Sequence, residues 1–261
     1  MIISSIYGHA QDSRQFVAMG EAKVDQHQLT QAIADFTNAI RLNPKNKTAF
    51  LARCRVKFEL GDFNGALSDA TETIKLDSGS TDAFYERGKI KLNINDFKGA
   101  YTDLSRVIAI DSAFSDAYFQ RAIVNDSLKD YKAGLADNSK VIKLDPTAEG
   151  AYTNRAVVEL ELKDTTAALL DYNKAIELNT DDYLPYYDRG IIESERKDYL
   201  VAIADFNRAI DLAPKLGLPY IQRGIAELYL NKNDAACADF KKAKDLGDDA
   251  NSIAWIKEFC H

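Results

Sequence analysis

The sequence has few of the residues that build catalytic, metal-binding or cross-linked proteins. Its 261 residues include three cysteines, three histidines and one tryptophan. Three cysteines are too few for a disulfide scaffold, and the histidines lie too far apart in sequence to show metal-ligand spacing. A glycine-rich phosphate loop, a nucleophile elbow and a Cys/His cluster are all missing. The sequence therefore predicts a protein that is not an enzyme and that uses no cofactor or metal.

Long apolar runs and an excess of positive charge are also missing. No run of about 18 apolar residues occurs, so membrane insertion is not expected. The 33 Lys and Arg residues face 40 Asp and Glu residues, for a net charge of -7. Nucleic acids and anionic membrane surfaces attract a basic face, so neither is an expected partner.

What the sequence does contain is an internal repeat of 34 residues. Seven units follow one another without insertion or deletion. Residues 1–12 precede the repeats and residues 251–261 follow them. The units comprise residues 13–46, 47–80, 81–114, 115–148, 149–182, 183–216 and 217–250.

Uniform positions within the repeat predict two helices in every unit. Position 4 is always aromatic, whereas positions 8 and 20 are always small, as expected where two helices approach closely. Two stretches of apolar periodicity flank a short turn, such as Gly61-Asp62, in which the Asp is a typical helix N-cap. Proline at position 32 ends the second helix in three units. The pattern therefore predicts that each unit folds as a helix, a turn and a second helix.

This pattern resembles the tetratricopeptide repeat family, whose units have an aromatic residue, Leu-Gly, Tyr, Ala, Phe and Pro at these spacings. The resemblance covers residues 13–250. Two positions depart from the family: Arg replaces its Leu in six units, and Lys, Asn or Glu replaces its Tyr at position 11. The resemblance implies an all-α fold, a right-handed α-solenoid or superhelix of seven helix-turn-helix units with a C-terminal capping helix. It also implies a concave groove lined by the first helix of each unit.

Arginine at position 7 is matched by aspartate at position 23 of the same unit. Because these positions lie on facing helices, we expect an ion pair between them, and the planar Arg fork suits a bidentate carboxylate contact. Recurrence in six units favours a structural role over a catalytic one. The predicted pairs are Arg53–Asp69, Arg87–Asp103, Arg121–Asp137, Arg155–Asp171, Arg189–Asp205 and Arg223–Asp239.

Positions 5 and 9, which the resemblance places on the groove, are expected to hold the functional information. Position 9 is charged in the first three units and apolar in the last four, which predicts a polar N-terminal half and an apolar C-terminal half. These side chains either contact a partner or seal adjacent first helices, and the two roles are not exclusive. The predicted groove residues are Arg55, Tyr85, Lys89, Phe119, Ile123, Val157, Tyr187, Ile191, Ile221, Ile225 and Trp255.

The charge is distributed unevenly between the units. Units one to four contain 19 basic and 18 acidic residues, whereas units five to seven contain 13 basic and 20 acidic residues. Acidic residues such as Glu159, Glu193 and Glu227 lie on first helices beside the apolar half of the groove. A partner segment with apolar anchors and basic flanks is electrostatically favoured there. The alternative is that these residues form only a solvated face.

One use of the family is not expected here. Some members clamp the C-terminal carboxylate of chaperone tails with Lys and Asn side chains on successive first helices. The corresponding positions in this sequence are Leu51, Arg55, Glu86, Asp116 and Gln120. These residues do not make up the clamp, so chaperone tails are not expected partners.

The two ends lie outside the repeats. The last eleven residues predict a capping helix in which Trp255 either extends the groove or forms a homodimer contact. A homo-oligomer is therefore one of the alternatives. Cys260 is expected near Cys237, and their pairing depends on an oxidising compartment. At the other end, Gly8-His9-Ala10 resembles a signal-peptidase site. One interpretation is that this segment is the remnant of an export signal, which predicts a periplasmic or exported protein. The other is that it is an N-terminal extension of the first helix in a cytoplasmic protein.

The sequence as a whole predicts a non-enzymatic scaffold that binds a peptide or protein segment in the groove. The alternative is a structural subunit of a larger assembly, envelope or secretion-related, that uses the convex face or the ends. No feature of the sequence identifies the partner.

Overall fold

A computed structural model describes the backbone of residues 2–260 and the side chains of residues 12–248 and 253–260. The described residues form fifteen α-helices joined by short turns, with no strand among them. The helices are α1 (Ile2–Asp25), α2 (Leu29–Leu42), α3 (Lys47–Glu59), α4 (Phe63–Leu76), α5 (Thr81–Asn93), α6 (Phe97–Ile110), α7 (Ser115–Ser127), α8 (Tyr131–Leu144), α9 (Glu149–Glu161), α10 (Thr165–Leu178), α11 (Leu184–Glu195), α12 (Tyr199–Leu212), α13 (Gly217–Tyr229), α14 (Asn233–Asp245) and α15 (Asp249–Phe259).

The chain divides into two compact parts, residues 1–140 and residues 141–261, called here the N-terminal and C-terminal parts. Within the N-terminal part, each helix from α1 to α7 packs against the next along the chain, and alternate helices α1, α3, α5 and α7 also touch. Within the C-terminal part, the same order of contacts runs from α9 to α15, with α11 touching α13. The fold is therefore all-α, a solenoid of consecutive helix pairs followed by a single last helix.

The turn inside each pair has one backbone geometry, repeated seven times. Its first residue has a positive φ at His27, Gly61, Asn95, Lys129, Lys163, Lys197 and Asn231. In the second unit, Asp62 N–H donates to the carbonyl of Lys57 at 2.8 Å and Gly61 N–H donates to that of Phe58 at 3.0 Å. This arrangement is a Schellman motif, which satisfies carbonyls left free at a helix end. Only one of the seven residues is glycine, although glycine adopts this conformation at the lowest cost.

The aspartate after this turn begins the second helix in most units. The carboxylates of Asp62, Asp96 and Asp164 each accept a hydrogen bond from the backbone three residues later, at 2.9–3.0 Å. Asp130 does the same at 3.2 Å. Asp198 is the N-cap residue of α12, as expected, but its carboxylate makes no cap hydrogen bond.

Small residues at position 8 make room for large ones at position 24. A Cβ atom added to Gly20 would lie 2.5 Å from the Phe36 ring, and one added to Gly190 would lie 2.7 Å from the Phe206 ring. Both rings are completely buried. Burying a side chain of this size contributes about 1.5–3 kcal/mol, so the small residue allows the close helix contact that the large residue stabilises.

The last helix is fixed to α14 by a disulfide and by stacked rings. Cys237 and Cys260 are bonded, with their Cα atoms 5.5 Å apart. The Trp255 ring stacks on Phe240 at 5.6 Å and on Phe259 at 5.4 Å between centroids. Phe240 is fully buried. Helix α15 therefore covers the apolar side of the last pair, as a capping helix does.

The expected export remnant, including Gly8-His9-Ala10, falls on residues whose side chains lie outside the described ones. Among the helices of the described residues, none is both long and apolar enough to span a bilayer.

Candidate functional site

Six bidentate ion pairs join the two helices of six units. Arg87 Nε and Nη2 donate to the two carboxylate oxygens of Asp103 at 2.8 and 2.7 Å. The aspartates are buried and the arginine side chains are largely so; for Asp103 and Arg87 the exposed fractions are 3% and 19%. The same contact joins Arg53 to Asp69, Arg121 to Asp137, Arg155 to Asp171, Arg189 to Asp205, and Arg223 to Asp239, at 2.6–2.9 Å.

The arginines make two further contacts that the sequence reasoning missed. Each guanidinium lies over the aromatic ring three residues earlier in its helix, as Arg223 lies 5.6 Å from the Tyr220 centroid, a cation–π contact. At least four arginines also donate to a polar side chain sixteen residues earlier, in the preceding unit. These bonds join Arg53 to Thr37, Arg121 to Ser105, Arg189 to Asn173 and Arg223 to Asn207. The signal for these bonds is position 25 of the repeat, which is Thr, Ser or Asn in each of the six units that precede another.

Position 11 adds a third polar group beside the ion pairs. It is Asn125 in the fourth unit and charged in the others, and the sign of that charge differs between the two parts. In the N-terminal part, Lys57 lies 2.9 Å from Asp69 and Lys91 lies 2.8 Å from Asp103. In the C-terminal part the position is glutamate. Burial and the nearby Asp171 carboxylate raise the pKa of Glu159 to about 7.

The predicted polar half of the groove is engaged within the protein itself. Arg55 donates to Glu86 at 2.8 Å and to Asp82 at 3.0 Å. Lys89 donates to the other oxygen of Glu86 at 3.0 Å and lies 5.2 Å from the centroid of Tyr85. The charges of this region are therefore balanced between α3 and α5.

The apolar half of the predicted groove is only partly available to a partner. Phe119, Ile123, Tyr187, Ile191 and Ile225 are partly buried, and Val157 is 38% exposed. These residues keep some apolar surface in contact with solvent.

Two predicted groove residues pack against other parts of the protein. Ile221 is 3% exposed and belongs to a core cluster with Tyr220, so it presents no surface to a partner, and its expected place in the groove is wrong. Trp255 stacks on Phe240 and is partly buried. It therefore belongs to the expected capping helix and keeps part of its surface open to solvent.

Two pockets of the C-terminal part use predicted groove residues. The first, called here the acidic pocket, has a volume of about 420 Å³ and is lined by residues including Val157, Glu161, Tyr172, Asp188, Ile191 and Glu195. The second has a volume of about 250 Å³ and a mainly apolar lining that includes Tyr187, Leu184 and Leu218. Pockets of this size accept side chains or small ligands.

Sequence reasoning did not find Asp188, a central residue of the acidic pocket. Its Oδ2 accepts a hydrogen bond from the hydroxyl of the buried Tyr172 at 3.2 Å. Burial raises the pKa of Asp188 to about 6, the hydrogen bond from Tyr172 opposes this shift, and Asp182 adds to it. Position 6 of the repeat varies from unit to unit, so Asp188 gave no periodic signal.

The consecutive helix pairs and their recurrent turns place this chain among the α-helical repeat proteins, a class in which each unit packs on its neighbour. Two models of the tetratricopeptide repeat match residues 17–81 and 149–182. The chain belongs to the tetratricopeptide repeat family. Proteins of this family serve in general as protein–protein interaction scaffolds and are typically non-enzymatic.

Solved structures show the same fold at low sequence identity. A tetratricopeptide repeat protein from Parabacteroides merdae is 18% identical over 95% of this chain and 98% of its own, with a TM-score of 0.72. The C-terminal part of a repeat protein from Cytophaga hutchinsonii is 16% identical over 92% and 99%, with a TM-score of 0.71. YrrB, a tetratricopeptide repeat protein with an unusual peptide-binding site, is 19% identical over 72% and 96%, with a TM-score of 0.61. No curated protein sequence matches this chain.

Proposed function

We propose that this protein is a non-enzymatic scaffold that binds an extended segment of a partner protein on the first helices of its C-terminal part. The observation that carries the proposal is the pair of pockets on α9, α10, α11 and α13, which combine exposed apolar side chains with carboxylates. The N-terminal part contributes less, because Arg55 and Lys89 already have carboxylate partners there. A neighbour in fold, YrrB, is described as having a peptide-binding site, which supports a peptide as the ligand.

A random dodecapeptide display library, panned on the purified protein, tests this function. Synthetic peptides from the enriched sequences would then be titrated by fluorescence anisotropy. We expect Val157→Ser combined with Ile191→Ser to weaken binding at least tenfold, because both side chains form walls of the acidic pocket. Circular dichroism would confirm that the variant keeps its helices.

A matched control replaces apolar residues of similar size on the second helix of unit six. Leu200 and Val201 are 70% and 52% exposed, and Leu200→Ser with Val201→Ser should leave peptide affinity unchanged. Failure to enrich any peptide, or equal losses in the two double variants, would contradict the proposed site.

A second candidate function is a structural subunit of a larger assembly. The exposure of Leu170, Leu200, Val201 and Tyr229 favours it, because apolar side chains open to solvent often mark association surfaces. The same control variant distinguishes the two functions. If Leu200→Ser with Val201→Ser abolishes co-purification with an assembly in the source cells while peptide affinity persists, the second function holds.

A further inference from the structure

Asp188 is a carboxylate that the fold holds in an apolar setting without a cation. It lines the acidic pocket beside Ile191 and Ile192. No Lys, Arg or His of the described residues forms an ion pair with it, whereas each aspartate at position 23 has a basic partner. A partly buried carboxylate that lacks a cation costs stability when it is ionised.

A buried hydroxyl holds this carboxylate in position. Tyr172 is completely buried, and its hydroxyl donates to Oδ2 of Asp188 at 3.2 Å. This hydrogen bond joins unit five to unit six and holds one carboxylate oxygen of Asp188. Because Tyr172 and Asp188 both line the acidic pocket, the carboxylate is held beside the pocket before any ligand arrives.

We propose that the acidic pocket binds a basic side chain, Lys or Arg, of the partner segment and that Asp188 receives its cation. This inference rests on the proposed function and names the chemistry of the ligand. Lys and Arg combine an apolar stem with a charged head. Val157, Leu160 and Ile191 contact the stem, and the head reaches Asp188.

Charge and volume favour this occupant over others. The lining holds three carboxylates, those of Glu161, Asp188 and Glu195, and one ammonium, that of Lys163. An anionic or purely apolar side chain would leave Asp188 without a cation. Within the described residues no group of His, Cys, Asp or Glu is arranged to hold a metal ion, so an organic cation suits these carboxylates better. The volume of about 420 Å³ accommodates one long side chain.

The test uses the display-selected peptides described above. We expect the enriched sequences to share a Lys or Arg beside apolar residues. Replacing that residue by norleucine for Lys, or by citrulline for Arg, should weaken binding at least tenfold. Asp188→Asn should weaken binding of the original peptide by the same factor, and the two changes should not add, because they remove one contact.

Two controls separate this contact from general electrostatics. Glu177→Gln removes a carboxylate of α10 whose side chain is 69% exposed and outside the pocket, and it should change affinity by less than twofold. Affinity for the wild-type protein should rise between pH 5 and pH 7 as Asp188 loses its proton, and this rise should vanish in Asp188→Asn.

The outcomes are distinguishable. Enriched peptides without a basic residue, or an affinity that Asp188→Asn leaves unchanged, would overturn this inference and leave the proposed function standing. The absence of any enriched peptide would overturn both.

Discussion

The N-terminal and C-terminal parts use the same Arg–Asp pair but surround it with opposite charge. In the N-terminal part, a unit such as the third combines Arg87, Lys91 and Asp103, for a net charge of +1. In the C-terminal part, the fifth unit combines Arg155, Glu159 and Asp171, for a net charge of -1. The helix pair accepts either sign at position 11. This position therefore sets the local charge of a unit while leaving its fold unchanged.

The largest expected effect comes from removing the aspartate in each setting. Asp103→Ala leaves Arg87 and Lys91 without a carboxylate, and breaking such a buried pair costs about 3–5 kcal/mol. Asp171→Ala should cost about 2 kcal/mol less, because Glu159 already lies 3.9 Å from Arg155 and replaces the lost partner. Urea denaturation, fitted with a nearest-neighbour model for repeats, measures both.

A double replacement serves as the control for this comparison. Arg87→Leu with Asp103→Leu removes both charges and should cost less than Asp103→Ala alone. Equal losses for Asp103→Ala and Asp171→Ala would show that position 11 does not modulate the pair.

The next effect concerns the disulfide, which cross-links the C-terminal part. Cys237 and Cys260 are 23 residues apart, and closing a loop of that length contributes about 3 kcal/mol in the chain-entropy model. Cys237→Ser with Cys260→Ser should lower the free energy of unfolding of the last pair by roughly this amount. Hydrogen exchange of α14 and α15 measures it, with α3 and α5 as internal controls.

Reducing agent offers an independent check on the same effect. In the wild-type protein, it should lower the protection of α14 and α15 from hydrogen exchange as much as the double replacement does. In the double variant, it should cause no further change in protection. Cys54, in the N-terminal part, is a free buried thiol, so the reducing agent has no disulfide to break there. Unchanged exchange after verified reduction would mean that the stacking of Trp255 alone holds α15.

A smaller effect, with a defined pH dependence, is expected at Glu159. Its pKa rises from 4.5 to about 7 on folding, so the native state binds more protons between these values and stability falls as pH rises. Glu159→Gln should therefore stabilise the protein by about 1–2 kcal/mol at pH 8 and by little at pH 5. Thermal melts at the two pH values measure the difference.

The matched control for Glu159 is the same repeat position in the last unit. Glu227 lies 3.1 Å from Lys232. Glu227→Gln should therefore lower the free energy of unfolding by up to about 1 kcal/mol, whereas Glu159→Gln should raise it. A stabilisation of equal size in both variants would show that the contact with Lys232 does not distinguish Glu227 from Glu159.

The smallest effect concerns the left-handed turn residues. Gly61 adopts a φ of 77° and Lys197 a φ of 69°. Because a side chain in this conformation costs about 1 kcal/mol, Lys197→Gly should stabilise the C-terminal part by up to about 1 kcal/mol. Gly61→Ala should destabilise the N-terminal part by a similar amount. Urea midpoints measure both, and changes of the same sign in the two variants would contradict the expectation.

Much of the fold could be predicted because it depends on residues repeated at a fixed interval. A small residue at position 8, such as Gly190, and a large one at position 24, such as Phe206, recur in other units. Their contact could therefore be predicted from these two repeat positions. The arginine and aspartate of each unit were paired in the same way. Asp188 and the acidic pocket could not be predicted, because they arise from residues that differ between units and meet only in the folded chain.

The groove prediction was less complete for a related reason. Position 5 is occupied by Ile221 in the core and by Tyr187 at a pocket. Burial at one repeat position therefore varies with the neighbours of each unit. A periodic pattern identifies the face of a helix, whereas the extent of burial depends on side chains contributed by adjacent helices.

The doubly engaged arginines affect how such a chain can change its length. Arg223 contacts Asp239 sixteen residues later and Asn207 sixteen residues earlier, and Arg189 has the same two separations. Duplicating or deleting 34 residues within these units preserves both separations for every remaining arginine. An insertion of another length within a helix would shift a donor away from at least one acceptor. Gain or loss of whole units by recombination is therefore the change in gene length that these contacts tolerate.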